Sequence, residues 1–365
     1  MHVPIETARA ARAEARRLGA DCAVAIGGGS TTGLGKAIAL ESGLPIIAIP
    51  TTYAGSEVTP IWGLTEAGVK KTGRDPRVLP RSVIYDPELT LGQPPGLTVT
   101  SLMNAIAHAA EGLYAPEANP VTALMAEEGI RACASALAAL TIDPGGIDAR
   151  SDALYGAWLC GIVLGSVAMG LHHKLCHTLG GSFNLPHAEV HSVILPHALA
   201  YNASHAPAAM ARIARALGTS DAAHALHDLC ARHGAPTSLR AIGMPENGLD
   251  HAADLAVTTP YPNPRPLERA ALRALLQRAF DGAAPQAMVR IARALGRASA
   301  AQGLFELAAR HGAPTSLQAI GMPADGLDHA AELALSHSYP NPRPLERAAL
   351  RALLQRAFDG RPPAP

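Results

Sequence analysis

Six histidines, His172, His173, His177, His187, His191 and His197, fall in the single stretch HHKLCHTLGGSFNLPHAEVHSVILPH, in a chain that holds 16 among 365 residues. Imidazole titrates near neutrality and is the commonest protein ligand for metals, so such a density points to proton transfer, metal binding or both. His173 and His177 stand four apart, which on a helix puts both rings on one face about a turn apart. The Gly180-Gly181 pair is expected to end that helix, and the SFNLP loop to bring His187 back at the start of the next. Upstream, Asn104 and His108 repeat the same spacing on a second predicted helix. Two helices would then each offer a polar pair, and a loop a further imidazole. Taken singly, each histidine reads as a core or capping residue; as a group they read as a site. Cys176 beside the histidines could serve as a soft ligand, but between two site-facing positions it is expected to point elsewhere on its helix.

The elements before this stretch alternate between strand and helix. Residues 7–18 form an Ala/Arg-rich helix, residues 22–26 a short buried strand, and residues 32–40 a helix after the turn Gly27-Gly28-Gly29-Ser30. Strand, glycine turn and helix is the arrangement in which backbone N–H groups and a helix N-terminus receive a phosphate. The turn matches neither G-x-G-x-x-G nor the Walker A pattern. A second strand, residues 45–50, leads into Thr51-Thr52-Tyr53-Ala54-Gly55-Ser56, and a third covers residues 82–85. Alternation of this kind predicts a parallel sheet whose carboxyl-end loops gather round a ligand. Ordinary turn chemistry would account for either loop alone; two at successive strand ends favour a dinucleotide pyrophosphate. From residue 98 onward strand signals vanish, and helices at 101–114, 120–140 and 148–171 lead into the histidines. The site would therefore sit between an α/β region and a helical one, where ligand clefts are common.

The N-x3-H and H-x3-H-x9-H spacings, with GGGSTTGLGK and PTTYAGSE upstream, resemble the iron-containing alcohol dehydrogenase superfamily, and within it the maleylacetate reductase branch. The resemblance covers residues 1–282. It implies a dehydroquinate synthase-like architecture: an α/β N-terminal domain with a partial Rossmann-like parallel sheet (1–97), then an all-α domain (98–282). It assigns Gly27, Gly28, Gly29, Ser30, Thr51, Thr52 and Ser56 to NADH or NADPH. Asn104, His108, His173 and His187 take the places of the family's metal ligands. Metal-dependent relatives carry Asp where Asn104 stands, and a neutral amide removes the anionic ligand, so iron or zinc is expected to be held weakly and not to be required. His173 and His177 are expected to polarise a ketone or deliver a proton, with Tyr53 as a further donor. The implied reaction is the reduction of the dicarboxylate maleylacetate in bacterial breakdown of aromatic compounds. The alternatives are a metal-dependent alcohol dehydrogenase and an inactive remnant serving as a helical interaction module. The resemblance also implies that the family's opening βα units, with the loop that contacts the adenine ribose, are absent, which leaves NAD versus NADP preference unread.

Composition agrees with a small-molecule enzyme. Formal charge is +0, pI about 7.3 and charged residues 16%, with no basic run that would suggest nucleic acid. Five scattered cysteines without a C-x2-C pair predict a reducing cytoplasm. The uncharged run 153–171 reaches the length of a membrane span, but its Gly, Ala and Ser content reads as a buried central helix, so no membrane partner is expected. A homodimer is. Finally, the segment 207–282 recurs: Met210-Ala-Arg-Ile returns as Met288-Val-Arg-Ile, His233-Gly-Ala-Pro as His311-Gly-Ala-Pro, and Tyr261-Pro-Asn-Pro as Tyr339-Pro-Asn-Pro. The first copy is expected to pack against residues 153–171. The duplicate, within 283–365, is expected to form a satellite helical unit with an apolar face left over.

Overall fold

The computed structural model describes residues 3–66, 69–284, 300–336 and 346–362. The chain divides into two compact units, Met1–Pro285 and Gln286–Pro365.

The first unit opens with α1 (Ile5–Arg17), β1 (Ala23–Gly27), α2 (Gly29–Ser42) and β2 (Ile46–Pro50), followed by β3 (Ile61–Glu66), β4 (Val69–Arg74) and the short β5 (Ser82–Val83). Strands β1, β2 and β5 lie side by side and parallel in that order; α2 makes the crossover from β1 to β2, and a longer connection containing β3 and β4 leads from β2 to β5. The strand at residues 22–26 is buried on one face only. Ala25 packs under α2, whereas Val24 and Ile26 are 55% and 57% exposed. Successive side chains of a strand point to opposite faces, and among the described residues only the α2 face is covered. The antiparallel hairpin β3–β4 was not expected, because VKKTGR in β4 lacks the apolar alternation that marks a half-buried strand.

Nine α-helices follow among the described residues of this unit, beginning with α3 (Pro95–Gly112), α4 (Pro120–Ile142) and α5 (Ile147–Ser166). α3 is sheathed by α4, α5 and the later α7 (His187–Asn202), and every residue from Thr98 to Gly112 is buried. α4 starts sharply because Asn119 and Thr122 form a reciprocal capping box with Pro120 at the first helical position. The run 153–171 is not one helix. α5 stops at Ser166, and the chain bends by 95° into α6 (Leu171–Phe183). No single described helix is long and apolar enough to cross a membrane. α6 also runs through Gly180-Gly181, ending at Asn184, whose φ of 52° supplies the left-handed cap expected of glycine.

The segment 207–282 forms α8 (Pro207–Ala216), α9 (Ala222–Arg232), α10 (Leu249–Thr258) and α11 (Arg269–Asp281). These pack chiefly on α4, α6 and α7 rather than on α5, which is already sandwiched between α3 and α4. Leu272, Leu275, Leu276 and Phe280 of α11 enter the core that also holds Leu175 and Leu179 of α6. The second unit contains helices Ala300–Arg310, Gly326–Ser336 and Arg347–Phe358. Its last helix repeats α11 in sequence but not in environment: Leu353 is 62% exposed, while its counterpart Leu275 is fully buried. The recurrences at Met288 and Tyr339 lie outside the described residues.

Candidate active site

Helix α3 carries a single charged residue, the carboxylate Glu111, buried to 1% exposure, and the site is built on it. A carboxylate so buried must be paired or extensively hydrogen-bonded. Glu111 Oε2 accepts from the backbone N–H groups of Gly170 (3.0 Å) and His173 (3.3 Å), and Oε1 accepts from that of His172 (2.8 Å). These are the free donors at the start of α6, where a negative charge also meets the positive end of the helix dipole. The same Oε2 lies 2.7 Å from His173 Nδ1. An ionised carboxylate only accepts, so Nδ1 carries the proton, and Nε2 is left as the reactive nitrogen, buried without a protein partner.

Round His173 stand five more imidazoles, its chain neighbour His172 among them at 5.0 Å. His108 stacks on it with ring centroids 5.1 Å apart, His191 lies at 5.1 Å and His177 at 6.3 Å. His187 completes the group, 6.3 Å from His177 and 4.5 Å from His191. The structure thus brings together His108, His173, His177 and His187, with Asn104 one turn before His108 and its Oδ1 buried without a partner. His177 is the exposed member and His187 is half-buried. Burial, reinforced by the neighbouring imidazoles, holds His108, His172 and His191 well below the usual histidine range.

Tyr53 is placed differently. Its side chain is fully buried in the helical core, and its hydroxyl accepts from Arg150 Nη1 at 3.0 Å. The same guanidinium nitrogen donates to Thr98 Oγ1, ten residues before His108 on α3. At 1.5 Å per residue this sets the hydroxyl roughly 15 Å along the helix from His108, so Tyr53 is not a donor in this site. Its backbone N–H, bonded to Ser101 Oγ at 3.0 Å, instead anchors the loop that carries it.

That loop and the glycine turn form one surface. Thr51 N–H donates to Gly27 O at 3.1 Å, and a Cβ on Gly28 or Gly29 would press on Thr52 or Ala54 at 3.0 and 3.3 Å. Gly27 has φ +148° and no room for a side chain, since a Cβ would come within 2.5 Å of Thr31 Oγ1. Ser30 Oγ is buried without a partner in the first turn of α2, which carries no acidic residue there. Free helix N–H groups, an unpartnered hydroxyl and glycines at close approach fit a phosphate. Ser56 contributes through its backbone: its carbonyl accepts from Lys36 Nζ at 2.6 Å, and Lys36 also bonds Thr59 O and Ile61 O, both at 2.8 Å. Burial pushes the Lys36 ammonium down to about 7, while nearby Glu57 pulls it back up. Gly55, with φ +75°, lies against the α5 backbone at Gly161, and a Cβ there would sit 3.7 Å from His108 Nδ1. The loop predicted to hold the nucleotide thus touches the histidine group directly. A groove of about 470 Å³ beside the β3–β4 hairpin, lined by Arg74, Glu117 and Met169, contains no histidine and is not part of this site.

A partial Rossmann-like sheet followed by a helical region, with histidines on α3, α6 and α7, defines a class. The chain belongs to the iron-containing alcohol dehydrogenase family: residues 1–87 match its iron-containing alcohol dehydrogenase profile, and residues 98–280 the family's C-terminal profile. Within that family it is 72% identical, over 285 residues, to maleylacetate reductase of Burkholderia cepacia, covering 78% of this chain and 81% of the relative. The crystal structure of maleylacetate reductase from Agrobacterium tumefaciens matches with a TM-score of 0.76 at 57% identity, over 78% of this chain and 81% of that one. A sulfoacetaldehyde reductase from Bifidobacterium kashiwanohense, solved with NAD+, matches with a TM-score of 0.67 at 25% identity, over 75% and 80%.

The family name implies a metal, and the residues can be tested for it. Asn104 Oδ1, His108 Nδ1 and His173 Nε2 are buried, unpartnered and able to ligate. However, the set has no anionic member, and His108, His173 and His187 do not bring their nitrogens to within 4.8 Å of one another; among the described residues only His172, Cys176 and His191 reach that closeness as a group. These four positions therefore offer neutral donors only and are not drawn together as a ligand group among the described residues. Sequence reasoning missed Glu111 and His191. Both had a signal: Glu111 is the only charged residue of α3, and His191 stands one turn after His187.

Proposed function

We propose that this chain reduces maleylacetate to 3-oxoadipate, using NADH or NADPH. The carrying observation is the imidazole wall centred on His173, with Nδ1 at 2.7 Å from Glu111 and Nε2 without a protein partner, beside a phosphate-receptive loop pair. Bound reduced nicotinamide would supply a hydride to the alkene carbon next to the substrate carboxylate. The electron pair displaced from the double bond then moves onto the ketone oxygen as an enolate. Delocalised charge of this kind is stabilised well by hydrogen-bond donors, which His173 offers at Nε2 when protonated, its charge balanced by Glu111. His177, at the exposed edge, is placed to exchange that proton with solvent. Gly27, Gly28, Gly29, Ser30, Thr51, Thr52 and Ser56 would hold the pyrophosphate. The neutral Asn104 supports a reaction that does not require a metal.

The test is oxidation of NADH and of NADPH by the full chain in the presence of maleylacetate, with and without a chelator. The expected result is one reduced cofactor consumed per substrate, unaffected by chelation. Activity abolished by the chelator would favour the metal-dependent alcohol dehydrogenase reading. Absence of turnover and of NADH binding would favour the inactive remnant.

A further inference from the structure

We propose that His172, Cys176 and His191 form a binding site for a thiophilic divalent cation of the zinc class, separate from the family's ligand position. His172 and Cys176 stand one turn apart on α6, and His191 reaches them from α7. His172 Nε2 lies 2.8 Å from His191 Nδ1, and Cys176 Sγ lies 3.6 Å from His172 Nε2. All three side chains are fully buried, and their ligand atoms lie within 4.8 Å of one another. With zinc bonds of about 2.3 Å to sulfur and about 2.05 Å to nitrogen, a tetrahedral centre sets S and N about 3.5 Å apart and two N atoms about 3.3 Å apart. The sulfur is already at the required separation from His172 Nε2, and the His191 ligand atom lies within 4.8 Å of it. The two nitrogens need to part by roughly half an ångström, exchanging their mutual hydrogen bond for two metal bonds.

The chemistry of the donors argues the same way. Asn104 brings no charge to the family's ligand position, whereas Cys176 can become an anionic ligand. Burial and the nearby Glu111 carboxylate keep the proton on the free Cys176 thiol. Burial opposes either charge alone, while the Glu111 carboxylate favours the cation; on binding the ion enters, a sulfur–metal bond forms and the thiol proton leaves. Ligation through His191 Nδ1 also fixes the proton of that ring on Nε2, which has no protein partner. The His191 ring touches both His187 and His173, at 4.5 and 5.1 Å, so occupancy would be felt across a shared wall of the active site.

The experiment is titration of the full chain with Co2+ alone, read by absorption. The expected result is one equivalent giving the intense near-ultraviolet charge-transfer band of a thiolate–cobalt bond, with release of one proton. The band should vanish in Cys176→Ala and independently in His191→Gln, two substitutions on different helices, and persist in His108→Ala. A band retained in Cys176→Ala, a band lost only in His108→Ala, or binding without a thiolate band would each overturn the site, as would no binding. The absorption readout does not depend on turnover.

Discussion

Lowering the pH from 7.5 to 5.5 should destabilise the first unit steeply, and the size of the effect follows from four buried imidazoles. His108, His172 and His191 are held well below the ordinary histidine range by burial, and His197 is pushed down to about 3. In the unfolded chain each titrates near its ordinary value of about 6.5. Below that value the unfolded state binds protons that the folded state refuses, so stability is present above pH 6.5 and is lost as pH falls towards the folded values. Between pH 7.5 and 5.5 each such group contributes on the order of 1 kcal/mol, so the four together cost several kcal/mol. That is a large share of the roughly 5–15 kcal/mol that holds a domain together. Glu57 works against it, because burial pushes its carboxyl upward and gives the folded state the greater proton affinity. Most carboxylates titrate below this window, so histidines dominate it. Urea unfolding followed by Trp62 and Trp158, the chain's two tryptophans and both in the first unit, measures the change. Calorimetry in buffers of different ionisation enthalpy should find several protons, up to about four, taken up per chain on unfolding at pH 5.5. A loss below about 1 kcal/mol, or uptake of fewer than about one proton, would refute the claim that these rings are buried neutral.

Other outcomes follow from the same geometry. His173→Ala and His177→Ala should each lower turnover by about a hundredfold or more if they supply the proton or stabilise the enolate, and full activity in both would remove these residues from the mechanism. Glu111→Gln should cost about 3–5 kcal/mol in urea unfolding, because it removes the charge that balances the start of α6 and His173; its turnover should show a shifted pH profile, which a purely structural role would not give. Deleting everything after Gly282 should leave the cooperative tryptophan transition intact, since the first unit already buries Leu272, Leu275 and Phe280. A truncated chain that fails to unfold cooperatively would show that the duplicate supports the core.

Much of the architecture was legible because period and punctuation agreed: short apolar strands, glycine turns and capped helices gave the α/β region and the helical region in the right order. Spacing alone placed His173 and His177 on one face of α6. The bend between α5 and α6 was not legible, since residues 153–171 hold no proline and their four glycines read as close helix packing; at the bend the free N–H groups of Gly170, His172 and His173 find Glu111. Tyr53 failed for a similar reason. Its hydroxyl is taken by Arg150, a partner 97 residues away that no local pattern announces. The limits of local reading show best in α11, where one string of residues forms an interior helix and its copy a surface one.

That copy has a consequence for how the two halves of the duplication can diverge. Replacing Leu275 with alanine would cost about 2–5 kcal/mol, as for other buried leucines, whereas at Leu353, already 62% exposed, the same change costs almost nothing. Selection for folding therefore acts on one copy and barely on the other. Drift should accumulate in the second, with polar residues replacing its exposed leucines first. Among descendants of this sequence, the two segments should part company along the helix faces that separate Leu275 from Leu353, and the age of the duplication should be readable from the leucines lost there.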